Sequence, residues 1–490
     1  MPGDAVSIRA ADAAAGTASA PGDHERPSPA AGRPAPRGPA HGAAHGAAAS
    51  TGLPVGFRTL IGAQFCSALA DHALLIVTIA LLQRAGAAAW WPPLLKFAFT
   101  LAYVGLAPLV GPLADAWPKA RVMAWTHALK AVGVLALALG CPPLAAFALV
   151  GVGAAAYAPA KYGLITELVP AGRLVRANAW IEVSVVGAVL LGAVLGGLLV
   201  SPAWLALVAE AGASLAAGDP AAGMHPAIHH DRRADGAGPH DGAPWAGPLG
   251  ASLAALLALY ALAAALNRRI PDSGAALSPC SRDPRTLWRD HLDDHRRLWT
   301  DRQGGALSLA ATTLFWGVGA TLQFIVLRWA HEGLGLPLDR AAALQGVVAI
   351  GVVAGASLAG RWVPLHAARH LLWLGVPLGL AMPLLLRCHD LTQGVALLVA
   401  AGAIAGFMVV PLNALLQHRG LQLTQAGRSI AVQGCAENAG ILLLLGLYAA
   451  LTGSGLPLQY VGLGLGLLVA VAMPALIGWQ MRYTRRTRRR

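Results

Sequence analysis

Long runs of apolar residues recur along most of this chain, and they restrict its fold more than any other feature. A helix needs about 20 apolar residues to cross a hydrocarbon core about 30 Å thick. Charged residues make up 12% of the chain, about half the share typical of soluble domains. The sequence therefore predicts an all-α membrane protein with 12 transmembrane helices, near 58–83, 94–115, 122–140, 143–167, 176–200 and 249–267, then near 304–330, 341–360, 369–387, 392–416, 427–452 and 457–480.

The basic residues lie mainly in short segments between the apolar runs. A net charge of +13 could suggest a nucleic-acid partner, but this distribution is the one that sets orientation, because Lys and Arg remain on the cytoplasmic side of a membrane. Every second connection is basic, and so are the central segment and the carboxyl end. We therefore predict a multi-pass protein with both ends in the cytoplasm, and no nucleic-acid partner.

Composition divides the chain into five parts. The first is rich in Ala, Pro, Gly and His, which predicts a disordered cytoplasmic tail. Two six-helix halves follow, joined by a cytoplasmic central loop and ending in a basic cytoplasmic tail. The predicted boundaries are 1–53 for the first tail, 54–267 and 304–480 for the halves, 268–303 for the loop, and 481–490 for the last tail.

The first half contains an insertion at about 203–248. Its start, 203–218, is apolar but short, and the rest is rich in His, Asp and Gly. We expect a periplasmic insertion that begins with an interfacial segment. The alternative, a true span at 203–218, would place the Arg-rich tail outside the cell, against the charge pattern.

Two segments half a chain apart repeat the same order of residues. Ala-Gly-Arg ends at Arg173 in the first half and at Arg428 in the second. Nine residues beyond each arginine stands a glutamate, Glu182 and Glu437. The repeat indicates two pseudo-symmetric halves in parallel orientation, an arrangement in which the substrate site lies between the halves near the membrane midplane.

Several charged residues stand at predicted helix ends. Asp115, followed by Arg121, closes a Gly-Pro-Leu-Ala-Asp segment. A carboxylate there can accept hydrogen bonds from helix N-termini and pair with arginine, which would hold a cytoplasmic gate closed; the alternative is a charge that only fixes topology. Glu182, Glu437 and Asn438 lie near helix starts, where gate contacts are expected, with substrate binding as the alternative.

Polar residues inside the apolar runs indicate the substrate site, because an ionisable group in a span normally faces a cavity or a partner. We expect Asp71, Lys161, Gln323 and Asn413 to converge, with Arg328 and Gln417 as companions. A carboxylate beside an ammonium group suits a zwitterionic head group, in which Lys or Arg binds phosphate and Asp binds an amine. The alternative is a structural charge pair without a ligand.

Other polar side chains and the cysteines are expected to have no part in substrate binding. Lys96 and Lys130 stand near predicted span ends, where a lysine extends to the interface. The five cysteines are scattered without metal-type spacing, so we expect them to be reduced.

Three longer motifs resemble the bacterial lysophospholipid transporter family of the major facilitator superfamily. They are Ser67–Leu75, Val150–Gly163 and Val410–Gln417, and shorter matches follow at Leu314–Gly317 and Ala431–Gln433. The resemblance covers about 57–200 and 249–480. It places Asp71 and Lys161 at charged cavity positions. It also leads one to expect a basic residue where Gln323 stands, with Arg328 further along.

The resemblance implies uptake of lysophosphatidylethanolamine and related lysolipids, from the outer to the inner leaflet of the bacterial inner membrane. It also implies that a cytoplasmic lysolipid acyltransferase/acyl-carrier-protein synthetase restores the second chain. Substrate and membrane lipids are the expected partners, and no cofactor or metal is expected.

Two other function classes stand as alternatives to lysolipid transport. A proton-coupled exporter of amphipathic small molecules would share the fold, with Asp71 or Glu437 carrying protons. An enzyme is not expected, because the sequence contains no nucleophile elbow, metal cluster or phosphate loop.

Overall fold

Helices make up most of the described part of the protein, and an irregular segment at 271–283 separates two of them. The computed structural model describes residues 54–487 except 55, 85, 88–90 and 218–247, and no strand occurs within them. The predicted tail at 1–53 and most of the predicted insertion lie outside the described residues. The first half contains α1 (Phe57–Arg84), α2 (Trp91–Gly105), α3 (Ala107–Ala116), α4 (Lys119–Ala138), α5 (Pro143–Leu168), α6 (Leu174–Leu199), α7 (Pro202–Ala217) and α8 (Pro248–Arg268).

The remaining helices form the central segment and the second half. They are α9 (Pro284–Thr300), α10 (Gly305–Arg328), α11 (Leu338–Trp362), α12 (Gly375–Leu385), α13 (Leu391–Leu423), α14 (Ala426–Gly453) and α15 (Leu458–Thr487). A 3₁₀ helix at Leu365–Leu374 leads into α12, and a π turn at Trp329–Gly333 ends α10.

The predicted all-α membrane fold is confirmed. Ten described segments are long and apolar enough to cross a membrane, and α2 with α3 forms an eleventh span bent by 61°. The twelfth predicted span corresponds to α4, whose basic residues reduce its mean hydropathy; it has 20 residues. Helix α7, with 16 residues, is shorter than the about 20 that a span needs, so its interfacial placement stays a prediction.

The two halves repeat the same helix packing. In the first half α1 packs against α6, α2 against α5, and α4 against α8. In the second half α10 packs against α14, α11 against α13, and α12 against α15. When α2 and α3 are taken as one span and α7 is left out, these are the same pairs in the same order. The halves meet where α6 packs on α11 and where α14 packs on α2, α3 and α5.

Glycines allow the closest helix approach in the second half. A β-carbon at Gly355 or Gly406 would overlap backbone atoms of the facing helix in the α11–α13 pair. Small residues commonly allow helices to pack closely in a membrane. Lipid tails are as apolar as the side chains, so burying an apolar side chain between helices gives no hydrophobic gain there.

The central segment contains helix α9 rather than loop alone. Asp283 caps its N-terminus by accepting hydrogen bonds from the backbone N–H groups of Arg285 and Thr286, at 3.3 and 3.1 Å. Its buried residues recur at helical spacing and form one face, which contacts α3, α10 and α14. They are Leu287, His291, Asp294 and Leu298.

One end of the bundle carries the central segment, and we call it the connection side. Hydrogen bonds attach that segment to the ends of the spans. Side-chain bonds join Ser273 to Glu167 at 2.6 Å, Gln425 to Ser278 at 2.5 Å, and Arg419 to Asp301 at 2.8 Å. The backbone N–H of Ser278 also donates to the Asp115 carbonyl oxygen at 3.0 Å.

Candidate substrate site and gate

A buried ion pair joins α1 to α4 in the middle of the first half. Lys130 is 1% exposed, and its Nζ lies 2.7 Å from Asp71 Oδ2 and 3.0 Å from Ser67 Oγ. The Tyr260 hydroxyl of α8 donates to Asp71 Oδ1 at 2.7 Å. The expectation that Lys130 extends to the interface is wrong, because the residue lies in the middle of α4 and has a carboxylate partner there.

Aromatic rings surround this ion pair. Lys130 Nζ lies 5.4 Å from the ring centre of Tyr157 on α5 and 5.7 Å from that of Tyr260. The His127 ring centre is 5.0 Å from that of Tyr157. Cation–π contacts of this kind stabilise a desolvated ammonium group. The cluster therefore connects α1, α4, α5 and α8 through one charge pair.

Lys161 of α5 is a second buried lysine, but it has different neighbours. It is 6% exposed, and its Nζ lies 4.0 Å from the ring centre of Tyr162 and 5.8 Å from that of Tyr157. Within the described residues Lys161 forms no ion pair. Asp71 and Glu182 lie within electrostatic range of it. Asp71 and Lys161 thus share Tyr157 as a neighbour but are not paired with each other.

The two repeated glutamates act on each other across the interface between the halves. Glu182 of α6 and Glu437 of α14 lie within electrostatic range of one another. Gln433 donates to Glu437 Oε1 at 2.8 Å and to Asn413 Oδ1 at 3.1 Å. Asn438 instead donates to a carbonyl of its own helix. Lys161, Glu182 and Glu437 therefore lie close enough for their charges to interact. Gln433 connects Asn413 to Glu437 by hydrogen bonds.

Gln323 has a lysine neighbour from the other half. Lys96 Nζ of α2 lies 3.4 Å from Gln323 Oε1 of α10. Lys96 therefore carries a positive charge to the position where the resemblance leads one to expect a basic residue. Arg328 lies five residues further along, 38% exposed, and pairs with Glu332 at 2.7 Å.

Asp115 holds the two halves together on the connection side. Its carboxylate accepts hydrogen bonds from the backbone N–H groups of Gly427 and Arg428 at 2.7 and 2.8 Å. These groups belong to the first turn of α14, where N–H groups have no helical partner and the helix dipole favours an anion. Gly111 and Gly427 permit the approach, because a β-carbon at either would lie within 3.0 Å of the facing helix.

Further polar contacts surround the Asp115 contact. Lys119 lies 3.4 Å from Asp115 and 2.5 Å from Glu167. Arg428 pairs with Asp294 of α9 at 2.5 Å. Arg121 does not take part; it lines a separate groove of about 600 Å³ between α4 and α8, with Trp125 and Arg268.

Gln417 forms a second buried contact between the halves. Its amide and that of Asn178 on α6 exchange two hydrogen bonds, of 2.9 and 3.0 Å. Gln417 is 2% exposed, and its amide group hydrogen-bonds another protein side chain. It was predicted with the substrate residues, but in this conformation it contacts the opposite half.

The comparisons with known proteins agree with this architecture. The sequence profile described as Major Facilitator Superfamily matches residues 60–445. Lysophospholipid transporter LplT of Escherichia coli O127:H6 is 38% identical over 87% of this chain and 96% of its own length. The protein of that name from Shigella flexneri is 37% identical over the same shares. This chain belongs to the major facilitator superfamily, in the family of these transporters.

Solved structures of other transporters share the fold. The transporter FucP in the outward conformation has a TM-score of 0.61 at 14% identity, covering 87% of this chain and 98% of its own. A bacterial homologue of the iron transporter ferroportin, in an outward-facing state, has a TM-score of 0.57 at 17% identity, covering 87% and 100%. At these identities the likeness concerns the fold alone.

The Asp71–Lys130 pair predicts a non-additive effect of mutations. Lys130→Met leaves a buried carboxylate unpaired, and breaking such a pair typically costs about 3–5 kcal/mol. Asp71→Asn removes the other charge, and the double variant removes both. We expect each single variant to lower the thermal stability of the detergent-purified protein more than the double variant does. Additive losses would show that the two groups do not interact.

The Asp115 contact predicts an effect on access from the connection side. Asp115→Ala leaves two N–H groups of α14 without an acceptor, at a cost of about 1–3 kcal/mol each in the closed state. A cysteine placed at Ser429, which is 3% exposed, should then react faster with a maleimide in a background lacking the native cysteines. Asp272→Ala, which removes a carboxylate of the α4–α8 groove, is the control. Equal reaction rates in the two variants would contradict a gate role for Asp115.

Proposed function

We propose that this protein transports lysophospholipids, moving lysophosphatidylethanolamine and related lysolipids from the outer to the inner leaflet of a bacterial inner membrane. The names of the relatives that are 37–38% identical support this substrate class. One observation supports the position of the substrate site. Lys161 is buried near the interface of the halves and forms no ion pair among the described residues.

The chemistry of the site suits a zwitterionic head group. Lys161 supplies the charge for the phosphate, and the rings of Tyr157 and Tyr162 lie within cation–π distance of it. Glu182 and Glu437 supply carboxylates for the ammonium group of the substrate. Asp71 stays paired with Lys130. It therefore adds negative charge near Lys161 but does not bind the head group directly.

Transport proceeds by alternating access of the two halves. The distribution of Lys and Arg supports a cytoplasmic position for both ends of the chain, and with it a cytoplasmic connection side. The Asp115 and Gln417 contacts then close the cytoplasmic side in this conformation, so the site is reached from the periplasm. Opening requires both contacts to separate. A cytoplasmic lysolipid acyltransferase/acyl-carrier-protein synthetase then consumes the product, and no covalent step occurs on this chain.

Uptake of lysophosphatidylethanolamine labelled in its head group tests the proposal in spheroplasts that lack their own transporter. We expect uptake with this protein and a decrease of at least about tenfold in Lys161→Gln, because a charge-assisted contact contributes about 1.5–3 kcal/mol. Arg269→Gln removes an exposed charge of the connection side and should transport normally. No uptake by well-expressed protein would contradict the substrate, and unchanged uptake in Lys161→Gln would contradict the site.

Moving the positive charge of Lys96 to a neighbouring helix by mutation tests how the head group is recognised. Lys96→Gln should lower lysolipid uptake, because it removes the positive charge beside Gln323. Adding Gln323→Arg restores that charge from α10 and should recover a large part of the uptake. The comparison uses expression-matched spheroplasts. A double variant no better than the single one would show that the charge beside Gln323 is not what the substrate requires.

A proton-coupled exporter of amphipathic small molecules is the second candidate. The observation that favours it is the pair of repeated glutamates, since neither Glu182 nor Glu437 forms an ion pair within the described residues. Transport that stops on addition of a protonophore, together with efflux of a dye and no lysolipid uptake, would favour this function over the first.

A further inference from the structure

Three potential metal ligands meet where helix α9 packs against α14. His291 and His295 stand one turn apart on α9, and Cys435 comes from α14. Their ligand atoms all lie within 4.8 Å of one another. No spacing in the sequence indicates this group, because Cys435 stands 140 residues beyond His295 and only the packing of the two helices brings them together.

His291 has a buried nitrogen without a partner. The residue is 6% exposed, and its Nε2 is buried and forms no hydrogen bond with any described group. A buried polar atom without a partner costs about 1–3 kcal/mol, so this position suits a ligand that the ring could bind. The ring centre of His295 lies only 4.6 Å away.

The second histidine is oriented for metal binding. Its Nδ1 lies 3.3 Å from the carbonyl oxygen of His291, and a bond from Nδ1–H to a backbone carbonyl leaves Nε2 free as the ligand atom.

We propose that His291, His295 and Cys435 bind a zinc-class transition metal ion between α9 and α14. Two imidazoles and one thiolate are ligands of borderline-soft ions such as Zn²⁺ and Co²⁺, and a water molecule can complete a tetrahedral set. Bond lengths of about 2.0–2.3 Å require ligand atoms about 3.5 Å apart. Side-chain rotations that move these atoms by about 1 Å bring them to the spacing that such bond lengths require. The ion would link α9 to α14 beside the Arg428–Asp294 pair.

Cobalt absorption tests the site on purified, untagged full-length protein in detergent. Titration with Co²⁺ should produce a thiolate-to-cobalt charge-transfer band and tetrahedral d–d bands that saturate at about one equivalent. The band reports a cysteine ligand, so histidines elsewhere in the chain do not produce it. Cys435→Ser should remove the band, and Cys66→Ser, which changes a half-buried cysteine of α1, should retain it. His295→Gln should weaken Zn²⁺ competition by at least about tenfold.

A second measurement covers the case in which Cys435→Ser fails to fold. Zn²⁺ should slow maleimide alkylation of Cys435, identified by peptide mapping, in the native protein but not in His291→Gln or His295→Gln. Absence of the charge-transfer band in native protein, its persistence in folded Cys435→Ser, or equal alkylation with and without Zn²⁺ would each overturn the proposal. None of these readouts depends on transport, so they stand apart from the test of the proposed function.

Discussion

The hydrocarbon core of a membrane has no water to satisfy polar groups, and most features of this structure follow from that constraint. Backbone groups are satisfied within helices, and a charged side chain within a span faces either a partner or a cavity. Helix α4 shows the consequence, because it keeps Lys130 in its middle by pairing it with Asp71 of α1. The same pairing, with Tyr260 bonded to Asp71, sets how α1, α4 and α8 pack.

The two contacts between the halves are equivalent by the repeat but differ in chemistry. Where α3 meets α14, Asp115 binds the N-terminus of α14. Where α11 meets α6, the close approach is apolar: a β-carbon at Gly360 would meet Ala179, and the nearby polar contact is the Asn178–Gln417 pair. One contact therefore depends on a carboxylate and a helix dipole, whereas the other depends on packing and neutral amides. This asymmetry makes Asp115 the side chain whose removal should change the contact between the halves most directly.

The sequence predicted the fold and singled out several residues that lie at the interface of the halves, among them Asp115 and Gln417, but it did not predict their partners. Asp71 and Lys161 both interrupt apolar runs, which marks them as candidates, yet the partner of Asp71 is Lys130. The position of Lys130, halfway along α4, was a signal against an interfacial role. Lys96 near Gln323 could not be anticipated, because the two residues are far apart in sequence and the contact depends on how α2 and α10 cross. Helix α9 had a detectable start in Asp283-Pro284, a capping residue followed by proline.

The amino-acid sequence by itself determined the membrane class, the helical fold and the two-half repeat. These follow from apolar run length, charge distribution and repeated motifs, which act locally along the chain. Only the tertiary structure decided which charges are paired, which glutamates act on each other across the halves, and that two histidines meet a distant cysteine. Such contacts join residues from different helices, and their geometry depends on packing angles that no single segment encodes. The physical reason is that side-chain pairing energy acts over a few ångströms, whereas the partners are far apart along the chain: Asp71 and Lys130 by 59 residues, and His295 and Cys435 by 140.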